Sequence, residues 1–347
     1  MDFKKIEQSL EKILPRKYTK ETLSRLLEIQ PDGLDIEAIN KSINIPVWDF
    51  LDRGGKRWRP ILFLTIIEVL GKNPKEFVDL ASVFEIIHNG TIIIDDIEDS
   101  SPTRRGKPSL HLIYGEDIAI NAGNLLYFLP LKIIKNYQKI LSKEQIMNIY
   151  QTYMDEMISL GLGQATDIAW HRGLMDSTTI SKAQYLQMCA FKTGGLSRMA
   201  SKIAAIAGGG DEKLVETFGE LGESLGVVFQ IQDDILNITE SKLSEMKGLG
   251  EDITEGKISL PVIFALKNLP NAKRKKLLQI LSSHSSDKNK IKEAINLIKE
   301  GRGVEDAKLT MDQIYQKTMT KLTEGLTEGD GKDKLLKLAK FLIERQV

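Results

Sequence analysis

The stretch FVDLASVFEIIHNGTIIIDDIED, residues 77–99, decides the fold class. Its apolar residues recur at three- and four-residue spacing from Phe77 to Ile94. That is the period of an α-helix, and the apolar positions run almost all the way round it, as in a helix at the centre of a large bundle. The stretch ends in four carboxylates within five residues: Asp95, Asp96, Glu98 and Asp99. On a helix, Asp95 and Asp99 stand one turn apart on the same face. Like charges so placed repel one another, and a cation resolves the conflict. Magnesium takes oxygen ligands, using one or two carboxylates together with waters and phosphate oxygens. A calcium loop does not fit, because the run lacks the alternating oxygen ligands and central glycine of an EF-hand.

The same period recurs in Pro60–Leu70, Ala119–Tyr137, Lys143–Leu160, Ser181–Ala207, Glu212–Ile235 and Leu260–Leu266. No sustained alternating run bounded by turn residues accompanies them, so the fold class is all-α. Connectors such as Gly71-Lys72-Asn73-Pro74 and Gly208-Gly209-Gly210-Asp211 are short and carry turn chemistry, and none is an interdomain linker. The expected organisation is one domain over residues 1–347: an N-terminal helical cap over 1–45, a catalytic core over 46–270, and C-terminal helices over 271–347. The polar run Ser282–Lys290 reads as a surface loop before those last helices.

Lysine plus arginine equals aspartate plus glutamate at 48 each, so net charge points to neither nucleic acid nor an anionic membrane. The single cysteine, Cys189, excludes an internal disulfide and a multi-cysteine metal site. With no charged-then-apolar leader, a cytoplasmic location is expected. The longest apolar-rich stretch, Leu80–Ile94, is interrupted by Glu85 and His88 and is too short for a membrane span.

A second acidic pair closes another apolar run, in Phe229-Gln230-Ile231-Gln232-Asp233-Asp234-Ile235-Leu236-Asn237. Two such clusters facing across a bundle would form a diphosphate–magnesium cage. The cationic half lies in Gly54-Gly55-Lys56-Arg57-Trp58-Arg59-Pro60, Thr103-Arg104-Arg105-Gly106 and Lys192-Thr193-Gly194-Gly195, with Lys247 and Lys257 nearer the second pair. Arginine offers a planar fork to phosphate oxygens and lysine a mobile point charge, while glycine lets backbone N–H groups approach an anion.

From about Ile45 to Leu266 these motifs together resemble the trans-type polyprenyl diphosphate synthases, with a pattern nearest to geranylgeranyl diphosphate synthases. The resemblance implies a single helical bundle of the isoprenoid synthase type around a central substrate cavity. It implies condensation of isopentenyl diphosphate with an allylic diphosphate by magnesium-assisted ionisation and head-to-tail coupling, with three magnesium ions per site and a homodimeric enzyme. By the same resemblance, Lys56, Arg57, Arg59, His88 and Arg105 serve the isopentenyl diphosphate. Arg104, Lys192, Thr193, Gln230, Lys247 and Lys257 serve the allylic side, with Arg104, Lys192, Thr193 and Gln230 closest to the chemistry. Asp95, Asp96, Asp99 and Asp233 would hold magnesium. Asn237 departs from the aspartate that many members carry there; it keeps an oxygen but is a poorer ligand.

Chain length would be set upstream of Asp95. Five residues back lies ~7.5 Å down the helix axis, at the small residues Gly90 and Thr91, which argues against a fifteen-carbon stop. Tyr127 and Phe128 are the deeper candidates for a floor, and Gly161, where relatives making twenty carbons often carry histidine, leaves room beyond. Geranylgeranyl diphosphate is the favoured product, with twenty-five or thirty carbons open. A terpene cyclase or a non-catalytic synthase subunit are the rival readings. The first needs no isopentenyl site, and the second tends to lose an acidic cluster.

Overall fold

The computed structural model describes residues 3–30, 32–239, 249–326 and 329–344, so Lys247 lies outside the described residues. In chain order, the helices of eight residues or more are α1 Phe3–Ile13, α2 Lys20–Leu27, α3 Ile45–Asp52, α4 Trp58–Val69, α5 Val78–Glu98, α6 Glu116–Asn136, α7 Lys143–His171 and α8 Lys182–Lys192. They continue as α9 Gly194–Gly208, α10 Glu212–Ile238, α11 Leu260–Asn268, α12 Asn271–Ser282, α13 Lys288–Glu300, α14 Gly303–Gly325 and α15 Asp330–Glu344. Among the described residues the only strands are β1 Thr103–Arg104 and β2 Lys107–Pro108, paired antiparallel. The helical periods of the sequence fall on helix throughout, with one refinement. Ser181–Ala207 reads as a single run but breaks at Thr193 into α8 and α9.

The chain forms two compact units, Met1–Thr152 with Ile203–Asp211, and Tyr153–Lys202 with Glu212–Val347. In the first unit α5 is the central helix. Leu80, Ala81, Val83, Phe84 and Ile87 on it are fully buried, each large side chain stabilising the fold by roughly 1.5–3 kcal/mol. Phe84 meets Phe63 of α4 with ring centroids 5.4 Å apart. The N-terminal segment covers the same helix: Ile6 and Leu10 of α1 are buried, and the Ser9 hydroxyl donates to Asp79 in the first turn of α5 at 2.7 Å. The most extensive packing in this unit is α5 against α6. Its cause is a glycine pair: a Cβ on Gly90 would lie 2.9 Å from the Gly123 carbonyl oxygen, so the two backbones touch.

By length and composition alone, α5 and α6 could cross a membrane, but 67% of the relevant α5 window is buried. Its apolarity is used by the core. The corresponding window of α6 is 44% buried and leaves Ile120 and Phe128 exposed.

In the second unit α10 is central, with Val228, Ile231 and Ile235 buried against Cys189 of α8, Leu260 of α11, Ile298 of α13 and Ala307 of α14. The C-terminal helices are thus part of this unit's core, and the polar segment between α12 and α13 is the loop expected there. Glycines again set the closest helix approach. A Cβ on Gly222 would lie 2.3 Å from the Ser197 carbonyl oxygen, and one on Gly226 would lie 2.6 Å from Gly194 Cα. An ion network, buried at Glu156 and half-buried at Arg198 and Glu223, ties three helices together beside them. Arg198 of α9 donates to both oxygens of Glu156 of α7, at 2.8 Å each, and reaches Glu223 of α10.

The α5–α6 contact gives a discriminating pair of substitutions. Gly90→Ala forces a Cβ against backbone and is expected to cost about 1–3 kcal/mol. At Gly123 the added Cβ meets Cδ1 and Cγ1 of Ile94 at 2.9 Å, a side chain that can give way, and the Gly90 carbonyl oxygen only at 3.3 Å. Helix propensity favours alanine by roughly 0.5–1 kcal/mol, so Gly123→Ala should be close to neutral. Urea unfolding of both variants checks this, and equal losses would mean that the backbones are not in contact at residue 90.

Candidate active site

The acidic end of α5 is built with its counter-charge. Asp96 is 1% exposed, and Arg104 holds it, with Nε donating to Oδ1 at 2.7 Å. Burial pushes the Asp96 carboxyl up to about 6; Arg104 works against that, and the neighbouring charges of Asp95 and Asp99 add to it. Its other oxygen, Oδ2, is buried and has no hydrogen-bond partner among the described residues. Asp95 and Asp99 flank it half-buried, and the Asp99 N–H closes the helix by donating to the Asp95 carbonyl at 2.9 Å. The unsatisfied Asp96 oxygen could serve a hard cation as one ligand; no three carboxylates converge into a metal cluster among the described residues, so waters and phosphate oxygens would have to complete the set.

Arg104 reaches back because the chain turns sharply after α5. Arg105 and Gly106 have φ of 54° and 76° and join β1 to β2 as a two-residue hairpin loop. Two consecutive left-handed residues make the type I′ turn that matches strand twist, and Gly106 takes its place in it without a steric penalty. Arg105 is thereby sent the other way. Its guanidinium lies 5.1 Å from the Phe50 ring centroid and donates to Asn89 Oδ1 at 3.3 Å. Burial pushes Arg105 down to about 10, with Glu85 opposing and Arg57 adding to the shift.

The Gly54–Pro60 segment lies in the same unit. Gly54, at φ 82°, makes the turn out of α3. Lys56 is exposed, and Arg59 is 6% exposed with its guanidinium 4.6 Å from the Trp58 ring centroid. Arg57 is turned inward, contrary to the expectation that it touches substrate. It is 3% exposed and donates to Glu7 at 2.9 Å, to Glu85 at 2.5 Å and to the Leu51 carbonyl at 3.1 Å. The physical reason is the left-handed Arg57 backbone, φ 46°, at the start of α4, which aims the side chain into the core. His88, on α5, is held well below its ordinary value by burial first, then by the charges of Arg59, Arg105, Arg57 and Arg104, so it is a neutral imidazole.

In the second unit the break at Thr193 is the organising feature. Lys192 ends α8, and its Nζ donates to Asp167 of α7 at 2.6 Å. α7 comes this close because Gly163 faces the break, where a Cβ would lie 2.4 Å from the Lys192 nitrogen. The Thr193 hydroxyl donates to Gln230 Oε1 at 2.9 Å, and Gln230 Nε2 donates to Asp234 Oδ1 at 2.9 Å. Gly222, Gly226, Gln230 and Asp234 succeed one another at four-residue spacing on α10, so the glycine-lined approach to α9 delivers Gln230 to Thr193. Asp234 is 4% exposed and pushed up to about 6 by burial, against the donors Tyr185, Gln230 and the Leu260 N–H. Asp233, next to it, is half-buried. Asn237 has a structural duty: its Oδ1 accepts the Asp252 N–H at 3.2 Å, and its carbonyl accepts the Gly250 N–H at 2.9 Å. Lys257 follows in that loop with Nζ 2.6 Å from Glu255.

Sequence reading missed Asp167, Tyr185, Glu85 and Asn89. Asp167 and Glu85 are lone carboxylates on largely apolar helix faces, a signal that was there to be used. Tyr185 and Asn89 carried none, because their partners lie 49 and 16 residues away in the chain. Among the chain-length candidates, Gly90 is small because α6 touches it, with Tyr127 3.2 Å from where its Cβ would be. Thr91 is half-buried with its hydroxyl donated to the His88 carbonyl at 2.8 Å. Phe128 does not share Tyr127's place. It is 66% exposed, since neighbouring helix residues point roughly 100° apart. Gly161 is exposed, and a Cβ there would meet nothing within 4 Å.

The sequence model of the polyprenyl synthetase family matches residues 40–298. A short chain isoprenyl diphosphate synthase of Methanothermobacter thermautotrophicus is 30% identical across 95% of this chain and 97% of its own. A geranylfarnesyl diphosphate synthase of Aeropyrum pernix is 30% identical across 92% and 96%. Among solved structures, the geranylgeranyl pyrophosphate synthetase from Pyrococcus horikoshii superposes with a TM-score of 0.81 at 27% identity, covering 99% of both chains.

The neutral His88 has a measurable consequence. The unfolded chain takes up a proton near pH 6.5 while the folded one resists. The stability held by the neutral ring is complete above pH 6.5 and is lost as pH falls from there toward the lower folded value. His88→Gln should therefore flatten the decline in urea midpoint between about pH 7 and 5. An unchanged slope would place the proton on His88 in the folded state.

Proposed function

The chain belongs to the polyprenyl synthetase family, and from that premise we propose that it makes geranylgeranyl diphosphate from isopentenyl diphosphate and shorter allylic diphosphates. It is a prenyl diphosphate synthase, a trans-prenyltransferase with the all-α isoprenoid synthase fold. One observation carries the reading best. Carboxylates and arginines are interleaved at the end of α5, where Arg104 binds Asp96 and its neighbour Arg105 turns toward Asn89.

Asp95, Asp96, Asp99 and Asp233 are the residues that would hold magnesium, three ions per active site. When bound, magnesium neutralises charge gathering on the diphosphate leaving group. Lys56, Arg59 and Arg105 bind the isopentenyl diphosphate, with the neutral His88 beside the arginines donating or accepting a hydrogen bond without adding charge. Arg104, Lys192, Lys247 and Lys257 bind the allylic diphosphate and stabilise it as it departs. Thr193 and Gln230 present oxygen atoms toward the allylic carbons. Arg57 holds the loop through Glu7 and Glu85 and does not contact substrate.

Tyr127 sets the floor, because it approaches Gly90 on the helix that carries the acidic cluster. Gly161 carries no side chain and a Cβ there would meet nothing within 4 Å, which keeps twenty-five carbons as the second reading, in line with the name of the Aeropyrum relative. The protein works in the cytoplasm as a homodimer. Support for the dimer is apolar surface left uncovered on α6, where Ile120 and Phe128 are 42% and 66% exposed. A second copy related by a two-fold axis would cover it.

The test is to incubate the protein with magnesium, labelled isopentenyl diphosphate and each allylic primer in turn, then hydrolyse the products and size the alcohols. A ladder ending at twenty carbons is expected. Asp95→Ala and Asp233→Ala should each lower turnover by at least about 100-fold, and Tyr127→Ala should lengthen the product. No incorporation with any primer, together with cyclic hydrocarbon from geranylgeranyl diphosphate alone, would make the protein a cyclase instead.

A further inference from the structure

Tyr185 lies two turns before Lys192 on α8 and is 1% exposed, yet its hydroxyl is not left to the apolar core around it. It donates to Asp234 Oδ2 at 2.5 Å, and the Leu260 N–H donates to the same oxygen at 3.1 Å. The other carboxylate oxygen, Oδ1, accepts from Gln230 Nε2 at 2.9 Å. An ionised carboxylate only accepts hydrogen bonds, so it can face only the NH2 end of the Gln230 amide. That leaves Oε1 toward Thr193, whose hydroxyl donates to it at 2.9 Å. The Thr193 proton is then committed inward. All the Thr193 oxygen can offer a substrate is its lone pairs, the correct electrostatic partner for positive charge on an allylic carbon.

We propose that Tyr185 and Asp234 are positioning residues that fix the orientation of the Gln230 amide and so make Thr193 an acceptor toward the allylic substrate. The inference rests on the reading above that Thr193 and Gln230 meet that substrate. Two anchors on Oδ2 are what the device requires. With one carboxylate oxygen pinned by a hydroxyl and a backbone N–H, the plane of the group is set, and the other oxygen has one direction left for Gln230. A network whose members are all satisfied holds a single arrangement. Without the Tyr185 hydroxyl, Oδ2 keeps only the Leu260 N–H, the carboxylate plane is no longer set, and the Gln230 amide can turn its NH2 to Thr193. The threonine proton would then face the developing cation.

The experiment is a double-mutant cycle on the full-length protein at saturating magnesium, with farnesyl diphosphate and isopentenyl diphosphate as substrates. Turnover and Tm are measured for Tyr185→Phe, Gln230→Ala and the double variant. Tyr185→Phe should lower kcat about tenfold, the rate equivalent of one charge-assisted hydrogen bond. In the Gln230→Ala background it should lower kcat by less than about twofold, because a residue acting through Gln230 has nothing left to act on. Its effect on Tm should be the same in both backgrounds. Asp234→Asn, which is isosteric and can present an NH2 group to Gln230, should repeat the loss and the coupling, so the outcome does not hang on one variant's folding. Equal kcat losses in the two backgrounds, or a loss of Tm with kcat unchanged, would overturn the inference and leave Tyr185 a core residue. A Gln230→Ala variant with full turnover would overturn the assignment of Gln230 itself, and the positioning role with it.

Discussion

A carboxylate cannot be buried without a counter-charge or hydrogen-bond donors in place of water, and the first half of the molecule is arranged around that constraint. α5 is apolar along its length because it runs through the core, and it ends in Asp96, which is 1% exposed. An isolated ionised side chain there would cost several kcal/mol in lost hydration. The hairpin that follows supplies Arg104 at 2.7 Å, but it satisfies only one of the two oxygens. The remaining charge, with Asp95 and Asp99 next to it in the chain, is the basis on which this end of the helix is proposed to take a cation. The strained Arg105–Gly106 turn follows from the same need, since it sends two adjacent arginines to different partners.

The basic side obeys the complementary rule. Arg57, Arg59, Arg104 and Arg105 all act on His88, and such a concentration of positive charge is tolerable only if some of it is internally compensated. Glu85 and Glu7 do this for Arg57. Arg57 is thereby taken up by the core, while Lys56 beside it stays at the surface. His88 stays neutral because a further proton would add to charge of its own sign in a poorly solvated place.

In the second half, close helix approach plays the corresponding part. Gly222 and Gly226 bring α10 against the start of α9 with 2.3 to 2.6 Å between a would-be Cβ and the facing atoms. The next two residues on that face, Gln230 and Asp234, then enter a hydrogen-bond chain with Thr193 and Tyr185. Each bond in the chain is worth more in this buried setting than at a surface, and a gap in it would cost more as well. Small residues one and two turns earlier therefore govern the geometry of the polar ones.

The helices, the acidic pairs and the basic motifs were all legible in the sequence, because periodicity and charge repulsion are local properties of neighbouring residues. The helical spans, Asp95 to Asp99 with the arginine pair that follows, and the Lys192-Thr193-Gly194-Gly195 motif needed nothing else to be found, whereas the helix break at Thr193 did. Tertiary structure decided what local spacing cannot carry. It turned Arg57 into the core through one left-handed residue, put Phe128 on the surface while Tyr127 faces α5, and explained Gly90 by a helix crossing 33 residues along the chain at Gly123. It also assigned Asn237 to holding a loop and joined Tyr185 to Asp234 across 49 residues. Burial and hydrogen bonding between distant segments are set by packing, and packing is a property of the folded chain.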